Sequence, residues 1–212
     1  MNRKTIAIIY ILGAVMMGNL FAQEVKLPAP DRTGGMPLMQ ALNERRSTRA
    51  FKPEALSLQH LGDLLWAAWG YNREDKRTAP TAINAQEIDL YVVKADGVWR
   101  YDARQHALIQ QDDQDRRAAT GTQPYVASAP VNLVFVADST RVNRAGYVEK
   151  WSAVNAAMMA QNAYLYCASA GLGGVVRGAF DGKVVAEALK LPAGHSAVLC
   201  FSAGWPQEQP TP

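Results

Sequence analysis

Between Ser152 and Ala170 the chain is small or apolar almost all round: Ala153, Val154, Ala156, Ala157, Met158, Met159, Ala160, Ala163, Leu165 and Ala168 fall on every side of a helix. That helix would be roughly 28 Å long at a rise of about 1.5 Å per residue. A helix with no polar face has to be buried on all sides. A chain of 212 residues builds one sizeable domain with a real core, not two. One such domain is small to enclose this helix alone, so a subunit interface is the expected solution, with an ordinary core helix as the alternative. Gly171 supplies the left-handed stop.

Two shorter apolar runs, Val131–Ala137 and Ala197–Ser202, have strand length without alternation, as expected of central strands covered on both faces. Ile88–Lys94 reads as a strand, followed by a turn at Ala95-Asp96-Gly97, a strand at Val98–Asp102 and a pairing candidate at Ala107–Gln110. Asp112–Ala119 reads as a small polar helix. Pro37 suits the first position of a helix ending at Arg45. Ser57 is placed to cap a second, with Leu58, Leu61, Leu64, Leu65 and Ala68 as its apolar face and Gly70 as its stop. Residues 23–36, rich in Pro, Gly and charge, read as an extended arm before a domain spanning residues 37–212.

Residues 1–22 have the form of an export signal: Arg3 and Lys4, then an uncharged and largely apolar stretch to Phe21, with a cut after Ala22. Export implies a periplasmic protein. The alternative is a retained membrane anchor through residues 5–23. The formal net charge is +3, and removing Arg3 and Lys4 leaves +1, which argues against nucleic acid as a partner. Cys167 and Cys200 lie in apolar segments and read as buried free thiols. His60, His106 and His195 are scattered without paired spacing, so no metal site is expected.

Chemistry is concentrated in three segments. In the first, Arg45, Arg46 and Arg49 surround Ser47 and Thr48; arginine is suited to bidentate phosphate recognition, and a hydroxyl adds a further donor. The second is Arg77–Gln86, containing Pro80, Thr81, Ala82 and Asn84. The third is the end of the long helix with Gly171, Leu172, Gly173, Val176, Arg177 and Gly178. Taken alone, the first could be a solvated basic helix end.

In this order, from about Leu38 to Pro206, the segments resemble the FMN-dependent nitroreductase family. The resemblance implies that Arg45, Ser47 and Arg49, with Arg46 between, hold the FMN phosphate and ribityl chain. It implies that Pro80, Thr81, Ala82 and Asn84 come from the partner subunit and pack along the isoalloxazine. Gln123 matches a position that pairs with the pyrimidine edge of the ring. The backbone near Arg177 and Gly178 matches the stretch that meets flavin N5 and O4, leaving the Arg177 side chain free to face a substrate pocket. The implied fold is α+β, a central, mainly antiparallel sheet flanked by helices in an intertwined homodimer with shared active sites.

The implied activity is transfer of hydride or electrons through flavin N5 to a nitroaromatic, quinone or similar conjugated acceptor, with NADH or NADPH as candidate reductants. No protein side chain is assigned as a catalytic acid or base. Alternatives are an oxygen-dependent FMN dehydrogenase of a small molecule or peptide, and a flavin-binding protein without turnover. Within the family the chain looks closest to the branch that includes azoline dehydrogenases of peptide maturation. Asn143-Arg144 stands where those enzymes carry a Lys-Tyr pair, which speaks against azoline oxidation. The tail after Pro206 lacks the basic residue many relatives use at the phosphate, so that role falls to Arg45–Arg49.

Overall fold

The computed structural model describes residues 23–207; the leader expected at residues 1–22 lies outside them. Among the described residues no helix is long and apolar enough to cross a membrane. The strands are β1 (Glu24–Lys26), β2 (Ile88–Lys94), β3 (Gly97–Asp102), β4 (Ala107–Asp112), β5 (Val131–Asp138), β6 (Gly173–Arg177) and β7 (His195–Gly204). The helices are α1 (Leu38–Glu44), α2 (Leu58–Trp69), α3 (Ala153–Ser169) and α4 (Gly182–Ala188). The strands form one sheet in the order β1-β4-β3-β2-β5-β7-β6, with every neighbouring pair antiparallel.

Helices cover both faces of this sheet, which is why its central strands are apolar without alternation. On one face, Leu133 and Phe135 of β5 and Leu90 and Val92 of β2 meet Leu61, Leu64 and Leu65 of α2 and Met159 and Ala163 of α3. On the other, Val134, Val136, Tyr91 and Val93 meet Val185 and Leu189 in and just after α4. Ser57 caps α2 as expected, accepting the His60 N–H, and Gly70 ends it. Leu58 departs from the expected apolar face: it stands at the helix start, 46% exposed.

One further expectation changes. Asp112 ends β4, and the polar helix expected over residues 112–119 is absent; a single turn of 3₁₀ helix covers Arg117–Thr120 instead. Asp112 is drawn into the strand by pairing with Val98, and its carboxylate takes Arg116 and Lys190. The N-terminal arm supplies an edge strand, with β1 pairing with β4 and the Leu27 N–H reaching the His106 carbonyl. As the apolar sequence implied, α3 is not enclosed on all sides within one chain. Asn155, Ala156, Met159, Ala160, Ala163, Tyr164 and Cys167 are buried, while Val154 and Met158, and Trp151 in the turn before the helix, face outward.

Candidate active site

The first and third segments meet at the C-terminal end of α3, around Tyr164. The Ser47 hydroxyl lies 2.9 Å from the Tyr164 hydroxyl, which also accepts the Val176 N–H at 2.9 Å. The Thr48 N–H donates to the Gly174 carbonyl at 2.9 Å, so residues 47–48 lie against the outer edge of β6. That approach requires a glycine, because a Cβ at Gly173 would stand 2.6 Å from the Thr48 methyl. The C-terminal turn closes the same corner: Lys52 donates to the Trp205 carbonyl and Gln207 to that of Ala50. A cavity of about 240 Å³ remains, lined by Glu44, Arg46, Thr48, Tyr164, Gly174 and Pro206 among others.

Arg45 caps the end of α1 and lies 5.2 Å from the centre of the Tyr164 ring. Arg46 and Arg49 are exposed. Among the described residues none of the three forms a salt bridge. A cationic corner without internal carboxylate partners is suited to receive an anion from outside the chain.

The second segment lies at the other end of α3. Asn155 accepts the Ala82 N–H at 3.1 Å, and the Tyr147 hydroxyl donates to the Ala82 carbonyl at 2.7 Å. The Asn155 amide in turn donates to Glu87 at 2.8 Å and to Tyr147 at 3.2 Å. Ser152, in the π-helical turn that opens α3, donates to the same Glu87 oxygen at 3.0 Å. Glu87 is fully buried, and its second oxygen has no partner.

The loop held this way is strained. Ile83 (φ 52°), Asn84 (φ 57°) and Gln86 (φ 49°) occupy the left-handed region, where a β-branched residue is a genuine outlier. Each such residue costs on the order of 1 kcal/mol or more, and persists only where its surroundings over-determine it. Here Gln86 is fixed by Arg77, whose Nε donates to it at 2.9 Å while the guanidinium lies over Tyr71 (4.0 Å) and Trp69 (4.4 Å). The result pushes Ile83 outward, 67% exposed. Asn155 and Tyr164 are separated by about 14 Å along α3 at about 1.5 Å per residue. Within one chain, then, Pro80, Thr81, Ala82 and Asn84 are not brought to the arginine corner.

Gln123 precedes a 3₁₀ turn at Pro124–Ala127, and its side-chain oxygen is buried with no partner. The Arg177 side chain does not face a pocket. It is 3% exposed on the sheet face away from α3, donating to Ser202 (3.1 Å), Asn132 (3.1 Å) and the Thr120 carbonyl (2.6 Å). Burial lowers its pKa from the usual arginine value, but an arginine remains charged in this setting. Gly121 lets the chain pass over it; a Cβ there would sit 2.2 Å from Arg177 Nη1. Backbone alternation places Val176 N–H on the outer side of β6 and turns that of Arg177 toward β7, so Gly178 carries the next outward N–H. No Cβ at Gly178 would meet another atom within 4 Å.

Sequence reasoning missed Tyr164, Asn155, Tyr147 and Glu87, which build the two ends. The available signal was polarity in the wrong place: Asn155 and Tyr164 on a mostly apolar helix, and Asn132 inside an apolar strand. Both thiols are buried and free, with burial pushing each up to about 12. The fold gathers His195 with Asp89 and Asp138, their ligand atoms lying within 4.8 Å of one another. Arg141 already takes both carboxylates there, at 2.8 Å and 2.9 Å.

A basic loop closed against the edge strand of an antiparallel sheet, with a strained loop at the far end of the same helix, sits on an α+β scaffold. The chain belongs to the nitroreductase family, whose pattern matches residues 42–205. It is 30% identical over 183 residues to a Methanocaldococcus jannaschii protein named as a nitroreductase, covering 79% of this chain and 90% of the relative. A crystal structure of a Ralstonia eutropha JMP134 protein, also named as a nitroreductase, superposes with TM-score 0.84 at 42% identity over 90% of this chain and 92% of that one. An FMN-dependent nitroreductase of Clostridium difficile R20291 shares the fold at TM-score 0.59 and 20% identity, over 81% of this chain and 89% of that one.

Proposed function

We propose that this chain is an FMN-dependent oxidoreductase that delivers electrons to a nitroaromatic, quinone or similar conjugated acceptor. The observation that carries the reading is the corner at Arg45–Arg49, where three arginines without carboxylate partners are tied through Ser47 and Tyr164 to β6. These residues fit a flavin mononucleotide. Arg45, Arg46 and Arg49 oppose its phosphate and Ser47 adds a hydroxyl. Gln123 holds a buried amide oxygen still lacking a donor, as an amide facing a ring edge with both donor and acceptor atoms would. When bound, the flavin supplies the hydride and electron transfer. The chain fixes it by charge and by the outward backbone N–H of Gly178, and excludes water with the apolar flank of α3.

The working unit we propose is a homodimer with shared sites. The cavity at the arginine corner, about 240 Å³, is below the roughly 300–1,000 Å³ usual for a ligand of cofactor size, as expected of a half-site. Leu38, Met39 and Leu42 of α1 and Val154 and Met158 of α3 present large apolar side chains to solvent on helices that touch one another. Exposed apolar surface of this kind marks an interface. Pro80, Thr81, Ala82 and Asn84 would then serve the partner's flavin. Export to the periplasm is part of the proposal; nicotinamide is scarce there, so the donor is an open outcome of the test.

That test is an anaerobic absorbance spectrum of the purified protein before and after NADH or NADPH. Visible flavin bands that bleach with nicotinamide support a nicotinamide-linked reductase; bands that persist move the search to another donor. Absence of flavin bands after reconstitution with FMN overturns the reading.

A further inference from the structure

We propose that the cavity beside Ala82 and Ile83 is an anion-selecting acceptor subsite, taking conjugated molecules that carry a carboxylate alongside the reducible group. The proposal rests on the reductase reading above and adds its substrate class. The cavity measures about 320 Å³ and is lined by Ala82, Ile83, Arg144, Tyr147, Lys150 and Trp151, among others. One of its walls, Ala82, is proposed to pack along the partner's flavin, and Ile83 follows it directly, so a molecule held here lies beside that ring.

The remaining walls choose the chemistry. Arg144 and Lys150 are exposed cations, and neither forms a salt bridge among the described residues. The one carboxylate between them in sequence, Glu149, lines the neighbouring cavity rather than this one and makes no salt bridge either. Lys150 stands 5.0 Å from the centre of the Trp151 ring, which is partly exposed and offers a flat apolar wall. Tyr147 does not compete for a ligand, because its hydroxyl is committed to Ala82. Buried Glu87 does not line the cavity and is bonded to Ser152 and Asn155. An arginine fork grips a carboxylate through two parallel N–H donors, and an aromatic wall holds the attached ring. A neutral ring would gain only the wall.

The experiment compares two isosteric pairs on the FMN-loaded protein. Binding of 4-aminobenzoate and of 4-aminobenzamide, neither reducible, is measured by calorimetry. Reoxidation of dithionite-reduced flavin is followed with 4-nitrobenzoate and 4-nitrobenzamide; each nitro group accepts two electrons and two protons, giving a nitroso group and water. The acid should bind about tenfold tighter than the amide, as expected for a charge-assisted bidentate contact. Arg144→Gln should erase that ratio while leaving the amide unchanged, Lys150→Gln should reduce it, and Arg144→Glu should reverse it. Equal binding of acid and amide, or a preference that survives both glutamine variants, overturns the subsite. The reoxidation arm judges the reductase reading separately: if neither nitro compound reoxidises the flavin while the binding ratio holds, the subsite stands and the proposed acceptor class falls.

Discussion

The two ends of α3 handle their polar groups in opposite ways. At the Tyr164 end, hydroxyls and N–H groups are spent inside the chain, joining residues 47–48 to β6, while Arg46 and Arg49 are exposed without salt-bridge partners among the described residues. At the Asn155 end, buried polar groups hold a strained loop away from the core, so that Ile83 and Asn84 project. On the proposed reading, one end, the socket, receives the anionic group of the cofactor, and the other, an arm, reaches toward a partner's cofactor and carries the acceptor subsite. Such a division makes sense when the socket of one copy receives the arm of another, an isologous arrangement that a two-fold axis satisfies twice.

Mixing variants of the two ends probes this division with the largest expected effect. A protein carrying Arg45→Ala and Arg49→Ala and another carrying Asn155→Ala should each lose nearly all turnover. Refolded together in equal amounts, they form hybrid dimers in which one site takes both wild-type ends. Activity should then return to about a quarter of wild type, since about half the dimers are hybrid and each has one good site of two. Absence of recovery, with hybrids verified by mass, would mean that each chain completes its own site.

Cofactor retention sharpens the contrast. Arg49→Ala should weaken FMN binding by about tenfold, the usual scale for one charge-assisted contact, whereas Arg77→Ala at the other end should leave phosphate-dependent affinity in the same range. Equilibrium dialysis with FMN and with riboflavin separates the two, because riboflavin lacks the phosphate that Arg49 is assigned. An unchanged FMN affinity would remove Arg49 from the site.

The ends should also differ in how much they stabilise the fold. Asn155→Ala leaves the Ala82 N–H and the buried Glu87 carboxylate each short of a partner, at about 2–3 kcal/mol. Tyr164→Phe removes one hydroxyl from a half-open corner, at about 1 kcal/mol. Urea melts of the two variants give the order directly. Equal losses would mean that the Asn155 network is less rigid than its hydrogen bonds suggest.

Much of this was legible in the sequence, for physical reasons that differ by region. Ile88–Lys94 and Val131–Ala137 announce central strands because burial on two faces removes alternation. Ser57 and Gly70 mark helix ends because caps are local chemistry. The basic triad at Arg45–Arg49 is visible because charge clusters do not hide. Asp112 could not be placed, since pairing with Val98 across a turn outweighs its local preference for a polar helix. Tyr164 and Asn155 were invisible as organisers because their partners are distant in sequence: Ser47 is 117 positions from Tyr164, and Ala82 is 73 from Asn155. The Arg177 side chain misled because a lone arginine near a proposed pocket gives no hint that Asn132, Thr120 and Ser202 will enclose it.

The smallest expected effect lies away from both ends, and that location makes it a control. His106 ties the N-terminal arm to the sheet. Its Nε2 lies 2.9 Å from the Pro28 carbonyl, which can only accept, so that nitrogen carries the proton. Its Nδ1 lies 2.8 Å from the Tyr101 hydroxyl and accepts from it in the neutral ring. Burial lowers the His106 pKa below its usual 6.5, opposed by the bond to Pro28. Below that value the unfolded chain therefore binds a proton that the folded chain resists. Stability from this group is fully present above about pH 6.5 and is lost as pH falls through that range. The melting temperature should drop modestly between about pH 7.5 and about pH 5.5. His106→Gln should start lower and flatten this part of the dependence. Riboflavin retention measured on the folded protein over the same interval should stay level, since riboflavin lacks the ionising phosphate of FMN and, among the described residues, no histidine lines the cavity at the arginine corner. A retention curve that follows the melting temperature would instead mean that the arm and the socket open together, and the two ends of α3 would no longer be separable by their chemistry alone.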